Sequence, residues 1–470
     1  MIPAPKKTNI NTEKVYFSMT YTTNGFEQTV KDVLRTMSDY CDRVFGHTLK
    51  NASEENAGLI CECDSTLKNG QYTVSAKENK IRIKAKDETA LGYAFATLLQ
   101  ATDKDENGIY VNETEINDFP ESDWRGLMLD IGRLFMPVKH LCNMIDICWL
   151  YKINRLQLHL NDDPSYTLPS DAFPLLPTEN RHYSKEDILY IRSYAKQRGV
   201  MIVPEIDMPG HSRWITKTYP EIFGSGSAMC AEEKTFKALE KLIDEVISLF
   251  PDSPYIHLGG DEADVNAWSR CDGCIAYMKE NGIENTQEMY AHYLKRITDH
   301  VLSKGRIPII WEGIKRDYNH MISKDVIFAE FESLYQLAPE LIDDGFTVIN
   351  CSWKPLYIVP RSRMWSQEEI VKGWDIYRWQ HWFEKSPASK KDIEVEKTSP
   401  VLGGQLCCWM DVFSNHPSSE EGWREATELI VERLPALAEK TWNVGIEPDI
   451  EAFKESFTET DNLLNKLLRR

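Results

Sequence analysis

Val326-Ile-Phe-Ala-Glu-Phe331 is a short, nearly continuous apolar run with one carboxylate near its end. Such a run is typical of a strand that is buried on both faces of a sheet. Similar runs recur along the chain with helical patterns between them, and the full set is 126–129, 155–160, 200–206, 255–258, 307–311, 326–331, 347–350 and 401–406. This alternation predicts an α/β fold built on a (β/α)8 TIM barrel.

The ends of these predicted strands carry acidic and aromatic residues. They are Asp130, Asp162, Glu205, Asp207, Asp261, Glu262, Trp311, Glu312, Glu330, Trp409 and Asp411, with Ser352 at the seventh strand. Because the active site of such a barrel lies at the carboxyl ends of its strands, we expect these side chains to share a cleft. The cleft suits a neutral or cationic polyol and not a phosphate, and no Gly-x-Gly-x-x-Gly or Walker loop occurs.

The chain divides into three predicted parts. Residues 72–85 alternate apolar and polar around the turn Glu78-Asn79, which predicts a hairpin, and helical patterns flank it. We therefore predict a small α+β domain at 1–120, the barrel as catalytic domain at 121–445, and a helical C-terminal extension at 446–470.

Composition excludes several classes of protein. The 470 residues are 42% hydrophobic, which argues against disorder, and the net charge of −19 argues against nucleic acid as a partner. No run approaches the ~18–20 apolar residues of a membrane helix. The first residues lack the apolar core of a secretory signal, and eleven cysteines are scattered and odd in number. We expect reduced thiols in a bacterial-type cytoplasm, with secretion left open if a signal peptide was removed.

The strongest local motif is His257-Leu-Gly-Gly-Asp261-Glu262. The glycine pair permits a tight turn at a strand end, so that both adjacent carboxyl groups can reach one cleft. A carboxyl group kept protonated by apolar surroundings can act as a general acid. An Asp-Glu pair alone is common on solvated surfaces, but its place after the fourth strand favours a functional role.

Four motifs together resemble glycoside hydrolase family 20, which contains the β-N-acetylhexosaminidases. They are Trp124-Arg-Gly-Leu-Met-Leu-Asp130-Ile-Gly-Arg133, Leu158-His-Leu-Asn-Asp162-Asp163, Pro204-Glu-Ile-Asp-Met-Pro-Gly210-His211 and the Asp261-Glu262 motif. Their order and spacing match the family over about 120–445. Residues 1–120 resemble the family's small N-terminal domain.

This resemblance implies substrate-assisted, retaining hydrolysis by an exo-acting enzyme. The substrate's 2-acetamido oxygen would attack C1 and form an oxazolinium intermediate. At the positions that match the family's motif, the resemblance implies that Glu262 is the general acid/base and that Asp261 orients the acetamido N–H. Asp162 and His211 would support the acid/base residue, and Arg133 would bind the sugar hydroxyls at C3 and C4. No metal or organic cofactor is expected.

The resemblance also assigns an aromatic wall. Trp311 and Trp409 match tryptophans that enclose the acetamido methyl and the sugar face, Tyr357 matches a tyrosine that hydrogen-bonds the acetamido oxygen, and Trp374 would be a further wall. Asp411 is counted with the substrate-binding residues. Trp365, Trp379 and Trp382 are left undecided.

Several of these residues have simpler interpretations. Arg133 could merely pair with Asp130 or Glu205, and His211 could be an ordinary loop histidine. With the motifs in register we favour function for Arg133, Asp162 and His211. We expect His159, on a strand, to be structural.

The chain departs from the family at positions that contact C4 and C6 of the sugar. After Asp162-Asp163 it has Pro164-Ser-Tyr-Thr167 where many members have Gln-Gly-Trp-Arg. Val359 occupies a position at which the family often has a carboxylate. The chain has Trp409-Met-Asp411 where many members have Trp-Thr-Glu, and its sixth strand lacks the tryptophan that is common there. The preference between GlcNAc and GalNAc and the tolerance of a C6 substituent therefore stay open.

Cys271-Asp-Gly-Cys274 has metal-ligand spacing, but no second such pair is evident. Zinc is the lesser interpretation, and a redox pair stays open.

Two other functions remain open: a glycosidase with two protein carboxylates, Glu262 plus Glu205 or Glu330, and a non-catalytic sugar-binding protein. The expected partner is a small-molecule or oligosaccharide substrate with a terminal β-N-acetylhexosamine. No membrane partner is expected, and a homodimer is left open.

Overall fold

The computed structural model describes residues 1–360, 364–380, 384–386, 391–416 and 418–468. Within them, no helix is both long enough and apolar enough to cross a membrane. The undecided Trp382 lies outside the described residues.

The N-terminal domain is a mixed sheet packed against two helices. Its strands are β1 (Lys7–Tyr16), β2 (Thr20–Asn24), β3 (Lys50–Asn51), β4 (Leu59–Cys63), β5 (Tyr72–Lys77), β6 (Lys80–Ala85), β7 (Asp103–Asp105) and β8 (Gly108–Asp118), and its helices are α1 (Val30–Phe45) and α2 (Glu88–Ala101). Strands β5 and β6 form the predicted hairpin, with positive φ at Glu78 and Asn79 in its turn. Their alternate residues are buried, which is why the period-two pattern was visible.

The second domain is a closed barrel of eight parallel strands. They are β9 (Trp124–Asp130), β10 (Arg155–His159), β13 (Met201–Glu205), β14 (Tyr255–His257), β15 (Ile307–Trp311), β16 (Ile327–Glu330), β17 (Thr347–Asn350) and β21 (Val401–Cys408). Each pairs with the next, and β21 pairs with both β17 and β9, which closes the ring. The predicted TIM barrel is thus confirmed.

Short strands lie in the loops between the barrel strands: β11 (Asn161–Asp162), β12 (Ser165–Tyr166), β18 (Tyr357–Ile358), β19 (Arg378–Trp379) and β20 (Ile393–Glu394). The helices around the barrel are α3 (Val138–Leu150), α4 (Lys185–Gln197), α5 (Arg213–Thr218), α6 (Pro220–Phe223), α7 (Glu233–Leu249), α8 (Asp272–Glu280), α9 (Thr286–Ser303), α10 (Ala338–Asp343), α11 (Trp353–Leu356), α12 (Gln367–Gly373), α13 (Ser419–Trp442) and α14 (Ile450–Leu467).

The barrel interior is filled, and a chain of polar side chains crosses it. Trp124 Nε1 donates to Gln405 at 3.1 Å, Gln405 Nε2 donates to Gln157 at 2.9 Å, and Gln157 Nε2 donates to Glu205 at 2.8 Å. All four side chains are buried. The barrel is therefore a packed core that closes the cleft above it from below.

Strand register places the polar residues at one level. His159 on β10 is the partner of Asp130 on β9 and of Glu205 on β13, and Glu205 is the partner of His257 on β14. The carboxyl ends of these four strands therefore present their charged side chains together.

Buried ion pairs join the two domains. On α3, Asp146 accepts from Tyr40 at 2.7 Å and lies 2.9 Å from Arg43, both on α1. Beside the barrel, Lys152 Nζ lies 3.2 Å from Asp118, the last residue of β8. The N-terminal domain is thus held to the barrel by ion pairs whose carboxylates, on Asp146 and Asp118, are buried.

Candidate active site

The turn after β14 brings two adjacent carboxyl groups into one cleft. Gly259 and Gly260 have φ of +65° and +93°, and Glu262 itself has φ of +47°. A Cβ at Gly259 would lie 1.8 Å from Oδ1 of Asp207, so only glycine fits there. Asp261 is 6% exposed, whereas 54% of the Glu262 side chain is exposed. The two carboxyl groups therefore face the same cleft from different environments.

The cleft is a cavity of about 230 Å³ above the carboxyl ends of the barrel strands. Its walls combine charged and aromatic side chains: Arg133, His211, Asp261, Glu262, Phe331, Trp353, Tyr357, Val359, Trp409 and Asp411. Seven of the predicted site residues thus line a single pocket, although they come from segments spread over about 280 residues of the chain.

His211 connects the exposed carboxylate to a buried one. Its Nε2 lies 3.5 Å from Oε2 of Glu262, and its Nδ1 lies 3.4 Å from Oδ2 of Asp162. Burial disfavours the charged imidazole, but these two carboxylates together raise the pKa of His211. The hydrogen bond from His211 in turn lowers the pKa of Glu262. His211 is therefore protonated at neutral pH and donates toward Glu262.

Arg133 is held by three carboxylates. Its guanidinium lies 2.9 Å from Asp130, 2.9 Å from Asp162 and 3.2 Å from Asp411. The pairing with Asp130 that the sequence allowed is present, and the same guanidinium also lines the pocket. Burial raises the pKa of Asp411, while Arg133 opposes the rise. The three carboxylates thus fix the orientation of the guanidinium at the wall of the cavity.

A buried layer supports this site from beneath. His159 lies 2.9 Å from Asp162 and 3.0 Å from Glu205, with no exposed surface, which agrees with its predicted structural role. Burial opposes ionisation of Glu205, but His159, His257 and Gln157 lower its pKa to about 2. His159 thereby links the Asp162 carboxylate to the barrel interior.

Two predicted wall residues lie outside the pocket lining. Trp311 is buried beneath it, where its Nε1 donates to Glu205 at 2.7 Å. Trp374 follows α12, donates to Asn350 at 3.3 Å and packs so closely on Gly404 that a Cβ there would lie 2.3 Å from its ring. Sequence position alone does not separate a tryptophan that lines a barrel mouth from one that fills the barrel or covers its outside.

Several buried polar atoms at the pocket have no hydrogen-bond partner among the described residues. They include Oδ1 of Asp261, the hydroxyl oxygen of Tyr357 and Nε1 of Trp409. Burial and the nearby Glu262 raise the pKa of Asp261 to about 6, although His211 opposes the rise. Since buried polar groups are rarely left unpaired, these atoms call for a ligand that offers both a donor and an acceptor.

Phe331 and Trp353 are lining residues that the sequence analysis did not assign. Their rings form a triangle with that of Tyr357, whose centroid lies 6.1 Å from Phe331 and 4.8 Å from Trp353, while those two are 6.2 Å apart. Phe331 is the last residue of the predicted strand 326–331, and Trp353 lies three residues after the predicted strand 347–350. This nearness to strand ends is the one signal that could have marked them. Together with Trp409 they give the pocket an aromatic wall.

The same cleft contains donor atoms at metal-ligand spacing, on Asp207, His211 and Asp261. In the structure His211 contacts Asp162 and Glu262 through its two ring nitrogens, so both nitrogens already have carboxylate partners.

Comparison with known proteins agrees with this geometry. The model of the glycosyl hydrolase family 20 catalytic domain matches residues 123–444, and the model of that family's domain 2 matches residues 1–119. A β-hexosaminidase of Vibrio furnissii is 27% identical over 423 residues, which are 82% of this chain and 67% of the relative. The β-hexosaminidase β subunit of Felis catus is 26% identical, over 87% of this chain and 75% of its own.

Solved structures show the same fold. The exo β-N-acetylglucosaminidase of Vibrio harveyi, solved in complex with N-acetylglucosamine, has a TM-score of 0.84 at 22% identity and covers 99% of this chain and 77% of its own. The β-N-acetylhexosaminidase of Bacteroides fragilis has a TM-score of 0.81 at 21% identity, with 99% and 96% covered. The likeness extends through both domains.

Proposed function

The chain belongs to glycoside hydrolase family 20, and we propose that, as an exo-acting β-N-acetylhexosaminidase, it seats a terminal β-linked GlcNAc or GalNAc in the pocket beside Glu262. The observation that carries this proposal is the pair of buried, unpartnered atoms on Asp261 and Tyr357. A secondary amide has one donor and one acceptor. Its N–H would donate to Asp261, and its carbonyl oxygen would accept from the Tyr357 hydroxyl.

In the first step the substrate's own amide supplies the nucleophile. The acetamido carbonyl oxygen bonds to C1 as the bond from C1 to the glycosidic oxygen breaks, and that oxygen takes the proton of Glu262. Asp261, ionised, stabilises the positive charge that develops on the amide nitrogen. The product of this step is an oxazolinium ion that stays in the pocket.

In the second step water opens the oxazolinium. The water oxygen bonds to C1, its proton passes to Glu262, and the electrons of the C1–oxygen bond return to the amide. Because C1 is inverted twice, its configuration is retained.

The surroundings of Glu262 match both of its roles. In the free site its side chain is half-exposed and His211 lowers its pKa, so it is ionised at neutral pH. A bound sugar covers that exposed surface, and loss of water raises the pKa of a carboxyl group. A larger fraction of Glu262 therefore carries the proton that the leaving oxygen needs when substrate is present.

The alternative of two protein carboxylates finds no support at the site. Both oxygens of Glu205 are engaged, one by Gln157 and the other by Trp311, and Glu205 has no exposed surface. Glu330 is equally buried and accepts from Ser333 at 2.7 Å. Neither lines the pocket, so neither reaches C1 of a sugar bound there.

The test is hydrolysis of four nitrophenyl β-glycosides, those of GlcNAc, GalNAc, 6-sulfated GlcNAc and plain glucose. We expect turnover only of the sugars that carry an acetamido group, with inhibition by a thiazoline mimic of the oxazolinium. The ratio among the first three substrates measures the preference for the substituents at C4 and C6 of the sugar. Two of the positions at which the chain departs from the family, Val359 and Asp411, line the pocket.

Glu262→Gln is the matched variant because glutamine keeps the shape of the side chain without its proton. It should lose ~10²–10⁴-fold in kcat on a substrate with a poor leaving group. Cleavage of the glucoside, or full activity of Glu262→Gln on the substrate with a poor leaving group, would contradict the mechanism. Saturable GlcNAc binding without turnover of any substrate would favour the sugar-binding protein.

The remaining partner and location assignments stay predictions. A reducing cytoplasm is supported by the eleven cysteines, all within the described residues and all free thiols. The charge of −19 supports a substrate that is not a nucleic acid. The homodimer, left open by the sequence, is not part of this proposal.

A further inference from the structure

Three thiols and a carboxylate from two loops meet beside the catalytic turn. The donor atoms of Cys230, Glu232, Cys271 and Cys274 all lie within 4.8 Å of one another. Cys230 and Glu232 come from the loop before α7, and Cys271 and Cys274 come from the start of α8. We propose that these four side chains bind one structural zinc ion.

The spacing of the sulfurs fits a shared ion better than a disulfide. Zinc–thiolate bonds of about 2.3 Å in a tetrahedron place two sulfurs about 3.8 Å apart. The sulfurs of Cys230 and Cys271 are 3.6 Å apart, and Cys271 Sγ lies 3.9 Å from Oε1 of Glu232. A disulfide requires about 2.05 Å. Three thiolates and one carboxylate would fill all four positions of a tetrahedral zinc ion. A full set of four protein ligands is typical of structural zinc sites.

Two glycines make room for this cluster. A Cβ at Gly273 would lie 2.1 Å from Oε1 of Glu232, and a Cβ at Gly224 would lie 2.4 Å from the sulfur of Cys230. Only glycine at position 273 leaves space for the carboxylate of Glu232 beside the three sulfurs.

The surrounding polar groups suit a negatively charged ligand set. The backbone N–H of Ala231 donates to the sulfur of Cys274 at 3.3 Å, and Lys234 Nζ lies 3.1 Å from Glu232. Both contacts offset charge on the ligands and fix their orientation, as the outer contacts of metal sites do.

The sequence could not show this set because its halves lie far apart in the chain. Cys230 precedes Cys271 by 41 residues, and neither it nor Glu232 belongs to a spaced pair. The sequence shows no second spaced pair, and the fold brings two further donors, Cys230 and Glu232, beside Cys271 and Cys274.

The proposed ion would join the loops that carry the acid/base machinery. The loop with Cys230 is tied to the His211 segment, since Met229 N donates to Pro209 at 3.0 Å. It is also tied to the loop after Glu262, since Trp268 Nε1 donates to Met229 O at 2.8 Å. None of the four ligands lines the pocket, so the ion would hold the loops and take no part in the reaction.

The test measures bound zinc directly. The full chain is purified under reducing conditions without chelator, and its zinc is counted by mass spectrometry for the wild type, Cys274→Ser, Glu232→Gln and the control Cys63→Ser, a thiol on β4. We expect about one zinc per chain in the wild type and the control. Cys274→Ser should lose it, and chelator should lower the Tm of the wild type but not of Cys274→Ser.

Cobalt substitution of the wild-type protein provides a second readout that needs no variant. A thiolate-rich tetrahedral site gives sulfur-to-cobalt charge-transfer bands and intense visible bands. Reduced wild-type protein that takes up less than half an equivalent of zinc and shows no such bands would overturn the proposal. A disulfide among the three cysteines in protein kept under reducing conditions would overturn it as well.

Discussion

Asp261 and Glu262 are neighbours in the chain, yet their surroundings shift their pKa values in opposite directions. Burial raises the pKa of Asp261 to about 6, whereas the hydrogen bond from His211 lowers that of Glu262. Two carboxyl groups with separated pKa values are able to hold different protonation states at one pH. Their roles in the reaction, an ionised Asp261 beside a protonated Glu262, therefore also require the rise in the pKa of Glu262 that a bound sugar brings when it excludes water.

The shift of Asp261 predicts an acid limb in the pH profile. Asp261 must be ionised to stabilise the amide nitrogen, so kcat/KM should fall as the pH drops below about 6. The charged groups that act on it are His211, Glu262, Glu205 and His159. In Asp261→Asn we expect kcat/KM to fall by ~10²–10³-fold and the limb near pH 6 to vanish.

The control for this prediction is Asp163→Asn. Asp163 belongs to another of the motifs, but its carboxylate lies outside the acetamido pocket and 3.6 Å from the exposed Arg213. It should keep the wild-type profile. If kcat/KM of Asp261→Asn still falls below about pH 6, then a group other than Asp261 causes the acid limb of the wild type.

At the scale of elements, the turn after β14 depends on Gly259 for two separate reasons. Its φ is +65°, and a Cβ there would meet Asp207. Gly282, between α8 and α9, has nearly the same φ of +68° but nothing within 4 Å of a Cβ. Gly282→Ala therefore measures the backbone strain alone, which is ~1–2 kcal/mol.

Gly259→Ala should cost ~1–3 kcal/mol more than Gly282→Ala, because the methyl group must displace Asp207. It should also lower kcat/KM, since the turn aims Asp261 and Glu262. Urea unfolding and kinetics on both variants provide the comparison. Equal stability and unchanged kinetics in the two variants would show that the turn tolerates a side chain.

The elements were predictable from sequence to different degrees. All eight barrel strands followed from apolar runs such as 326–331, because a strand buried on both faces leaves a local pattern. The positions of Trp311 and Trp374 did not follow, because a side chain that points into the barrel and one that points into the pocket differ only in tertiary contacts. Cys230 and Glu232 were not assigned because they precede Cys271 by about 40 residues and only the fold brings them together.

At the scale of the whole molecule, Asp146 is the centre of the contact between the domains. Besides Tyr40 and Arg43 of the N-terminal domain, it accepts from Arg198 Nε at 2.6 Å and from Tyr194 at 2.8 Å. Arg198 is almost wholly buried. Loss of the carboxylate would leave this arginine with a charge that has no adequate partner.

Asp146→Asn should therefore destabilise the protein by ~3–5 kcal/mol, because a buried charge is left unpaired. We expect earlier urea unfolding and faster proteolysis between the domains, with kcat unchanged in the folded fraction. Asp39→Asn is the control, since Asp39 pairs with the same Arg43 but is half-exposed, and should cost ~0–1 kcal/mol. Equal effects of the two variants would contradict the central role of Asp146.

The filled barrel beneath the pocket has a consequence for polymeric substrates. Because Trp311, Gln157 and Glu205 occupy the interior, a sugar chain cannot thread past the cleavage point, and only its terminal residue enters. The effective concentration of substrate is then the concentration of non-reducing ends. At equal mass, a preparation with a high degree of polymerisation presents few ends and is degraded slowly, and any activity that cuts chains internally would accelerate this one by multiplying them.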